Sequence, residues 1–107
     1  LMMGGVIVRK EFLEQNEQAV KDFMEEYEAS INYVNSNVDD TAALCETYKI
    51  VPSAALAKAA IPQCNVTFIS GEDMKTGLSS YLQVLYDADK TSVGGELPDD
   101  GFYYTNS

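Results

Sequence analysis

Histidine is absent from this sequence, and with it the commonest general base and the commonest transition-metal ligand. Cysteine occurs only at Cys45 and Cys64. Two cysteines without histidine build a tetrahedral zinc site only if carboxylates complete it. Basic residues are scarce: seven Lys and Arg stand against seventeen Asp and Glu, a net charge of −10. Such a field repels nucleic acid and anionic lipid headgroups, so neither is expected as a partner. No apolar run approaches the ~20 residues that span a bilayer. "MMGGVIV" is too short for that, and it lacks the basic flank of a signal peptide. No phosphate loop occurs either, because "GG" at 94–95 lacks the Gly-Lys-Ser/Thr continuation. No internal repeat is visible. No cofactor is expected.

What remains is an ordinary globular composition, 46% hydrophobic and 22% charged over 107 residues. It fits one domain at most and a modest core. The β-branched run Val6 to Val8, after two glycines, predicts a short strand. "KEFLEQNE" predicts a turn or two of helix. Asn16 is the expected N-cap of a long helix over about 17–35, with an acid in its first turn. Val20, Phe23, Met24, Tyr27, Ile31 and Val34 fall at spacings of three and four and form its apolar stripe. Asn37 is the expected cap of a third helix, about 38–48, with Asp39 and Asp40 in its first turn. A short alanine-rich helix follows between Pro52 and Pro62. "NVTFI" at 65–69 alternates and predicts a second strand. Ser70, three residues before Asp73, opens a last helix over about 71–88 with a capping-box-like arrangement. Its stripe is Met74, Leu78, Tyr81, Leu82 and Leu85, interrupted by Gly77 at a cost of about 1 kcal/mol. The sequence thus divides into a helical α/β segment, 1–90, and an extended tail, 91–107. Phe102, Tyr103 and Tyr104 are too apolar for that tail to hang free, so they are expected to dock on a surface.

Each chemically suggestive cluster has a structural explanation. Glu25 and Glu28 lie one turn apart, but on or beside the solvated face of their helix. The aspartate pairs at 39–40 and 99–100 do not follow calcium-loop spacing, and capping or turn chemistry accounts for them. Cys45 and Cys64 are open to three readings: a disulfide, two buried apolar thiols, or a redox pair without the usual spacing or a basic flank. "NVT" at 65–67 matches a glycosylation acceptor but falls inside an expected strand.

The blocks "AAIPQCNVTFISGEDMK", "LSSYLQVLY" and "SVGGELPDDGFYY", with "GGVIVRKEFLEQNEQAVKDFMEEYEASINYVN" before them, resemble the C-terminal end of bacterial ABC-transporter substrate-binding proteins. The subgroup is the one that includes nitrate, sulfonate and thiamine-precursor binders. "AIPQCN" at 60–65 and "SVGGELPDDGFYY" at 92–104 are the specific parts. The resemblance implies an α/β fold, with about five helices and two short strands taken from a type II periplasmic-binding-protein-like lobe. It implies non-catalytic capture of a small solute by a longer, extracytoplasmic protein that docks on a permease. Such a protein meets the membrane only through a lipid anchor outside these residues. The opening on Leu1 rather than methionine agrees with a piece of something longer. Met3 and Gly4, beside the implied crossover strand, are the only expected ligand contacts.

The implied location outside the cytoplasm permits a Cys45–Cys64 bridge across a loop of about eighteen residues, but the expectation is two unbridged packing thiols. Two further readings are a free-standing interaction module that uses Phe102 to Tyr104, and a relative of the enzymes that make a thiamine pyrimidine precursor. The second depends on histidine in the family, and this chain has none. Self-association is expected through Met74, Leu78, Tyr81 and Leu85 on one helix and Val20, Phe23, Tyr27 and Ile31 on another.

Overall fold

The computed structural model describes residue 2 and residues 4–105. The protein is mostly helical. Five α-helices follow in order: α1 Lys10–Gln15, α2 Glu17–Ser36, α3 Val38–Thr47, α4 Ala54–Ala60 and α5 Gly71–Ala88. Short 3-10 turns lie at Ile61–Gln63, Lys90–Val93 and Asp100–Phe102. The chain divides into two compact units, Gln18–Phe68 and a second made of Leu1–Glu17 with Ile69–Ser107.

In the unit Gln18–Phe68, the apolar stripe of α2 buries Val20 and Ile31. α3 packs on α4, and the buried side chains there are small: Ala42 is 2% exposed and Ala57 3%. Small residues let two helix backbones approach closely, and they bring little apolar area with them. α4 has seven residues, too few to be stable alone, and its first turn is held by side chains. Ser53 Oγ accepts from Leu56 N–H at 3.2 Å, and a Glu46 carboxylate oxygen on α3 accepts from Ala54 N–H. Lys58 pairs with Asp39 at 3.1 Å with both groups well exposed, which is worth about 0–1 kcal/mol.

α3 ends through a left-handed residue. Ile50 N–H reaches Cys45 C=O at 2.8 Å and Lys49 N–H reaches Glu46 C=O at 3.1 Å. That bond pair needs a positive φ at Lys49, which has φ 59°, where glycine is the usual occupant.

The expected strands do not form: no strand is present among the described residues. Asn65 has φ 54°, which breaks extended backbone at the start of 65–69. Thr67 Oγ1 then donates back to Asn65 C=O at 2.9 Å. The Val66 carbonyl is taken by the Asn35 amide of α2 at 2.9 Å, and Phe68 sits edge-on to Tyr27 at 5.9 Å. The segment therefore lies along a helix, and a side chain replaces the ladder bond. Residues 6–8 have no neighbouring strand to pair with.

Two expected caps are reversed. Asn16 and Asn37 stand at the predicted helix boundaries, but their amide groups donate backwards. Asn16 Nδ2 reaches Phe12 C=O at 3.1 Å and Asn37 Nδ2 reaches Tyr33 C=O at 3.2 Å. Each closes the preceding helix instead of opening the next. Ser70 occupies the N-cap of α5 without a side-chain capping bond.

In the other unit, Met74, Leu78, Tyr81, Leu82 and Leu85 of α5 are all half-buried, and α5 has no fully buried residue. Gly77 has a visible reason. A Cβ there would stand 2.8 Å from the Met2 methyl, so the glycine admits that side chain against α5. The expected extended tail is folded into turns. Asp89 caps the turn Lys90–Val93, which closes through Gly94 at φ 83°, and the Ser92 hydroxyl reaches Leu85 C=O at 3.1 Å. Further on, Asp100 pairs with Lys75 of α5 at 3.1 Å.

Replacing Lys49→Gly should raise stability by about 1 kcal/mol, because it removes the left-handed penalty of a side chain. The check is a urea or thermal unfolding midpoint read by helical circular dichroism, with Lys49→Ala as the comparison that keeps the penalty.

Candidate functional site: an open apolar surface

The most unusual property of the chain is how little it hides. Val20, Ile31, Ala42 and Ala57 are the only buried apolar residues among those described. All four belong to the unit Gln18–Phe68. The accessible surface is 8091 Å2. A folded monomer of this mass exposes about 5,900 Å2, and two separate domains of half that mass about 7,100 Å2 together.

Besides Tyr33, Ile69, Val84, Leu97 and Phe102, the large exposed apolar groups fall in three places. Val6, Ile7, Val8 and Phe12 form the first, Leu44, Tyr48, Ile50 and Leu56 of the α3–α4 pair the second, and Phe23 and Tyr27 of α2 the third. In the third, the two rings stack at 5.4 Å and 17°, and Phe68 closes the cluster from the edge.

The first place has a concave element. A dent of about 390 Å3 is lined by Ile7, Val8, Arg9, Glu11, Phe12 and Gln15. It is open to solvent and half its lining is polar. Small-molecule sites bury most of their ligand, and this dent encloses nothing. Of the two residues expected to touch a ligand, Met3 lies outside the described residues. Gly4 is exposed, and a Cβ placed on it would meet nothing within 4 Å. No convergent group of three or more Cys, Asp or Glu side chains occurs among the described residues, and Glu25 and Glu28 are both exposed. No helix among them is long and apolar enough to cross a membrane.

Cys45 and Cys64 are free thiols. Neither is buried, contrary to the packing role expected of them: Cys45 is half-buried on α3, and Cys64 is exposed at the end of the turn Ile61–Gln63. Pro62 and Gln63 beside Cys64 are exposed as well, so the sequence around it supplies no cover. Thr41 Oγ1 is a buried hydroxyl without a partner, a liability that residue type alone did not signal.

The tail is held by two charged groups. The Asp89 carboxylate accepts from the Thr91 hydroxyl at 2.7 Å and from the Thr91 N–H at 3.0 Å. The hydroxyl first, and then the amide, hold Asp89 below its ordinary 3.8. Lys75 is raised above its ordinary 10.5, chiefly by its bond to Asp100. The Asp89 contribution to stability is therefore present above about pH 3.8 and is lost as pH falls through the lower folded value. The Lys75 contribution is present below about pH 10.5 and is lost as pH rises through the higher folded value. Beyond Asp100, Phe102 remains exposed and packs edge-on to Tyr103 at 5.2 Å, while Tyr103 and Tyr104 are half-buried.

Two measurements check these placements. The carboxyl carbon of Asp89 should titrate by NMR with a midpoint below 3.8, and Thr91→Val should move it up. Thiol labelling of the native chain should modify Cys64 several-fold faster than Cys45, and both thiols should react after denaturation without reductant. Compared with family models, curated proteins and solved structures, the chain matches none.

Proposed function

We propose that these residues form the closing part of a two-lobed solute-binding protein that serves an ABC importer. The function is capture without catalysis. Lobe closure in the longer protein buries a small solute, and the closed form docks on a permease. The protein works outside the cytoplasm and meets the membrane through a lipid anchor carried elsewhere. On this reading the fold is a helical portion of an α/β lobe, and residues 6–8 and 65–69 become strands when the sheet of that lobe pairs with them.

The observation that carries the reading is the unpaired segment 6–8. Its residues have strand chemistry, they are exposed, and among the described residues 4–8 make no backbone hydrogen bond. The helices of the same unit, α1 and α5, are formed, so the deficit lies in cover and not in local structure. The blocks at 60–65 and 92–104 supply the likeness to this class of protein. A free-standing interaction module is favoured by one observation, the exposed Phe102 ring on an otherwise folded tail.

Calorimetry of this chain against nitrate, sulfonates and thiamine precursors should show no binding near micromolar, because the open dent cannot enclose them. In the longer protein, amide exchange at 6–8 should slow by at least a hundredfold relative to this chain. Micromolar capture by the chain alone, or equal exchange in both, contradicts the reading.

A further inference from the structure

We infer that residues 96–105 form a strap laid back along α5, hinged at Gly94 and Gly95 and fastened by an electrostatic buckle, whose closure withholds Tyr103 and Tyr104 while Phe102 stays presented. Polar contacts fix the path of the tail. The Ser92 hydroxyl reaches Leu85 C=O at 3.1 Å near the C-terminal end of α5, and Asp100 reaches Lys75 near its start at 3.1 Å. Leu85 and Lys75 stand about 15 Å apart along a helix that rises about 1.5 Å per residue. The tail therefore turns round at the end of α5 and runs back beside it. Between the two attachments, Glu96, Leu97 and Pro98 make no backbone hydrogen bond among the described residues. The segment is tied at both ends and free in the middle.

The hinge is the glycine pair. Gly94 and Gly95 hold φ 83° and 97°, in the left-handed region that glycine enters without a steric penalty. A Cβ on either would meet nothing within 4 Å. No neighbour packs against them, so the chain is free to swing there, as hinges of one or two residues do.

The buckle gathers charge from two helices. Asp99 and Asp100 are adjacent acids in a turn closed by Phe102 N–H on Asp99 C=O at 3.1 Å. α5 supplies Lys75, which pairs with Asp100. α1 supplies Lys10: its Nζ lies 3.7 Å from where a Cβ would stand on Gly101, and Asp99 Oδ1 lies 3.3 Å from the same point. Glycine at 101 leaves room for both charged groups. The Lys75 ammonium also feels Glu72 and Tyr103, which sets the Tyr103 phenol near the buckle. The Asp100 side chain is 92% exposed, and a pair so open to water contributes little. Closure is therefore shallow and reversible, and salt weakens it. In the closed form Tyr103 and Tyr104 are half-buried and Phe102 is exposed. Opening frees all three rings together and uncovers the side of α5 along which the strap lies.

The test is limited chymotrypsin digestion of the full chain, with cleavage after Tyr103 and Tyr104 followed by mass spectrometry and helicity by circular dichroism. Lys75→Met and Asp100→Asn should each speed that cleavage about two- to fivefold, with helicity unchanged. Lys75→Arg keeps the charge and should stay near the unaltered rate. Lys58→Met breaks the exposed pair with Asp39 in the other unit and should change nothing at the tail. Raising salt from about 20 to about 500 mM should speed cleavage of the unaltered chain more than of Lys75→Met, a difference that cancels any effect of salt on the protease. Cleavage that ignores both Lys75→Met and Asp100→Asn overturns the strap. So does an equal rise with Lys58→Met, a salt response that persists unchanged in Lys75→Met, or a loss of helicity that accompanies the faster cleavage. The strap depends only on contacts within this chain, so its failure leaves solute capture by a longer protein to its own test.

Discussion

The constraint on which everything else rests is the size of the buried side chains. Where α3 meets α4 the buried residues are Ala42 and Ala57, and an alanine contributes little of the roughly 25 cal/mol per Å2 that apolar burial provides. Val20 and Ile31, still 8% and 7% exposed, are the only larger apolar groups buried among the described residues. Helices of six to twenty residues need tertiary packing to persist. Here packing is thin, so local devices carry an unusual share: the Ser53 and Glu46 bonds at the start of α4, the left-handed closure at Lys49, and the asparagine amides at 16 and 37. Exchanging a net hydrogen bond of about 1 kcal/mol for missing apolar area secures each helix but does not cover its outer face.

This division explains how the structure relates to function. Secondary structure is complete, and cover is not. Aromatic groups on α2, aliphatic groups before α1 and the outer side of the α3–α4 pair all face solvent. The concavity beside Phe12 is open to solvent, whereas small-molecule sites bury most of their ligand.

The sequence announces the helices well. The 3.6-residue stripe places α2 and α5 within a residue of their ends, and prolines at 52 and 62 bracket the alanine-rich α4. It announces the caps poorly, for a physical reason. An asparagine amide carries both a donor and an acceptor, so Asn16 and Asn37 suit the end of one helix as well as the start of the next. With α1 and α2 separated by one residue, the carbonyls behind won. The strands fail for another reason. Alternation at 65–69 reports that one side is apolar, and both a sheet and a helix such as α2 can receive that side. Tyr27 and Asn35 are the receivers, and their positions become visible only once α2 exists in three dimensions. Glycine and aspartate in the tail read as an extended segment, yet Gly94 and Asp89 supply what a tight turn requires. Of the open surface, the stripes on α2 and α5 are legible in the sequence, and Phe23 and Tyr27 of the first stay exposed. The segment before α1 was legible as a strand, but not as one without neighbours.

The central claim is that this chain folds with its helices closed and its apolar surface uncovered. The heat capacity of unfolding tests it most directly, because that quantity tracks the surface exposed when the chain unfolds. A compact domain of this length gives about 1.3–1.6 kcal/mol/K, and leaving some 2,000 Å2 of mixed surface exposed in the native state lowers this by about 0.3. Melts followed by circular dichroism at low micromolar concentration, across a series of urea concentrations, should therefore give about 1.0–1.3 kcal/mol/K. A value near 1.5 would mean that the chain buries as much as any self-sufficient domain, and would contradict the account.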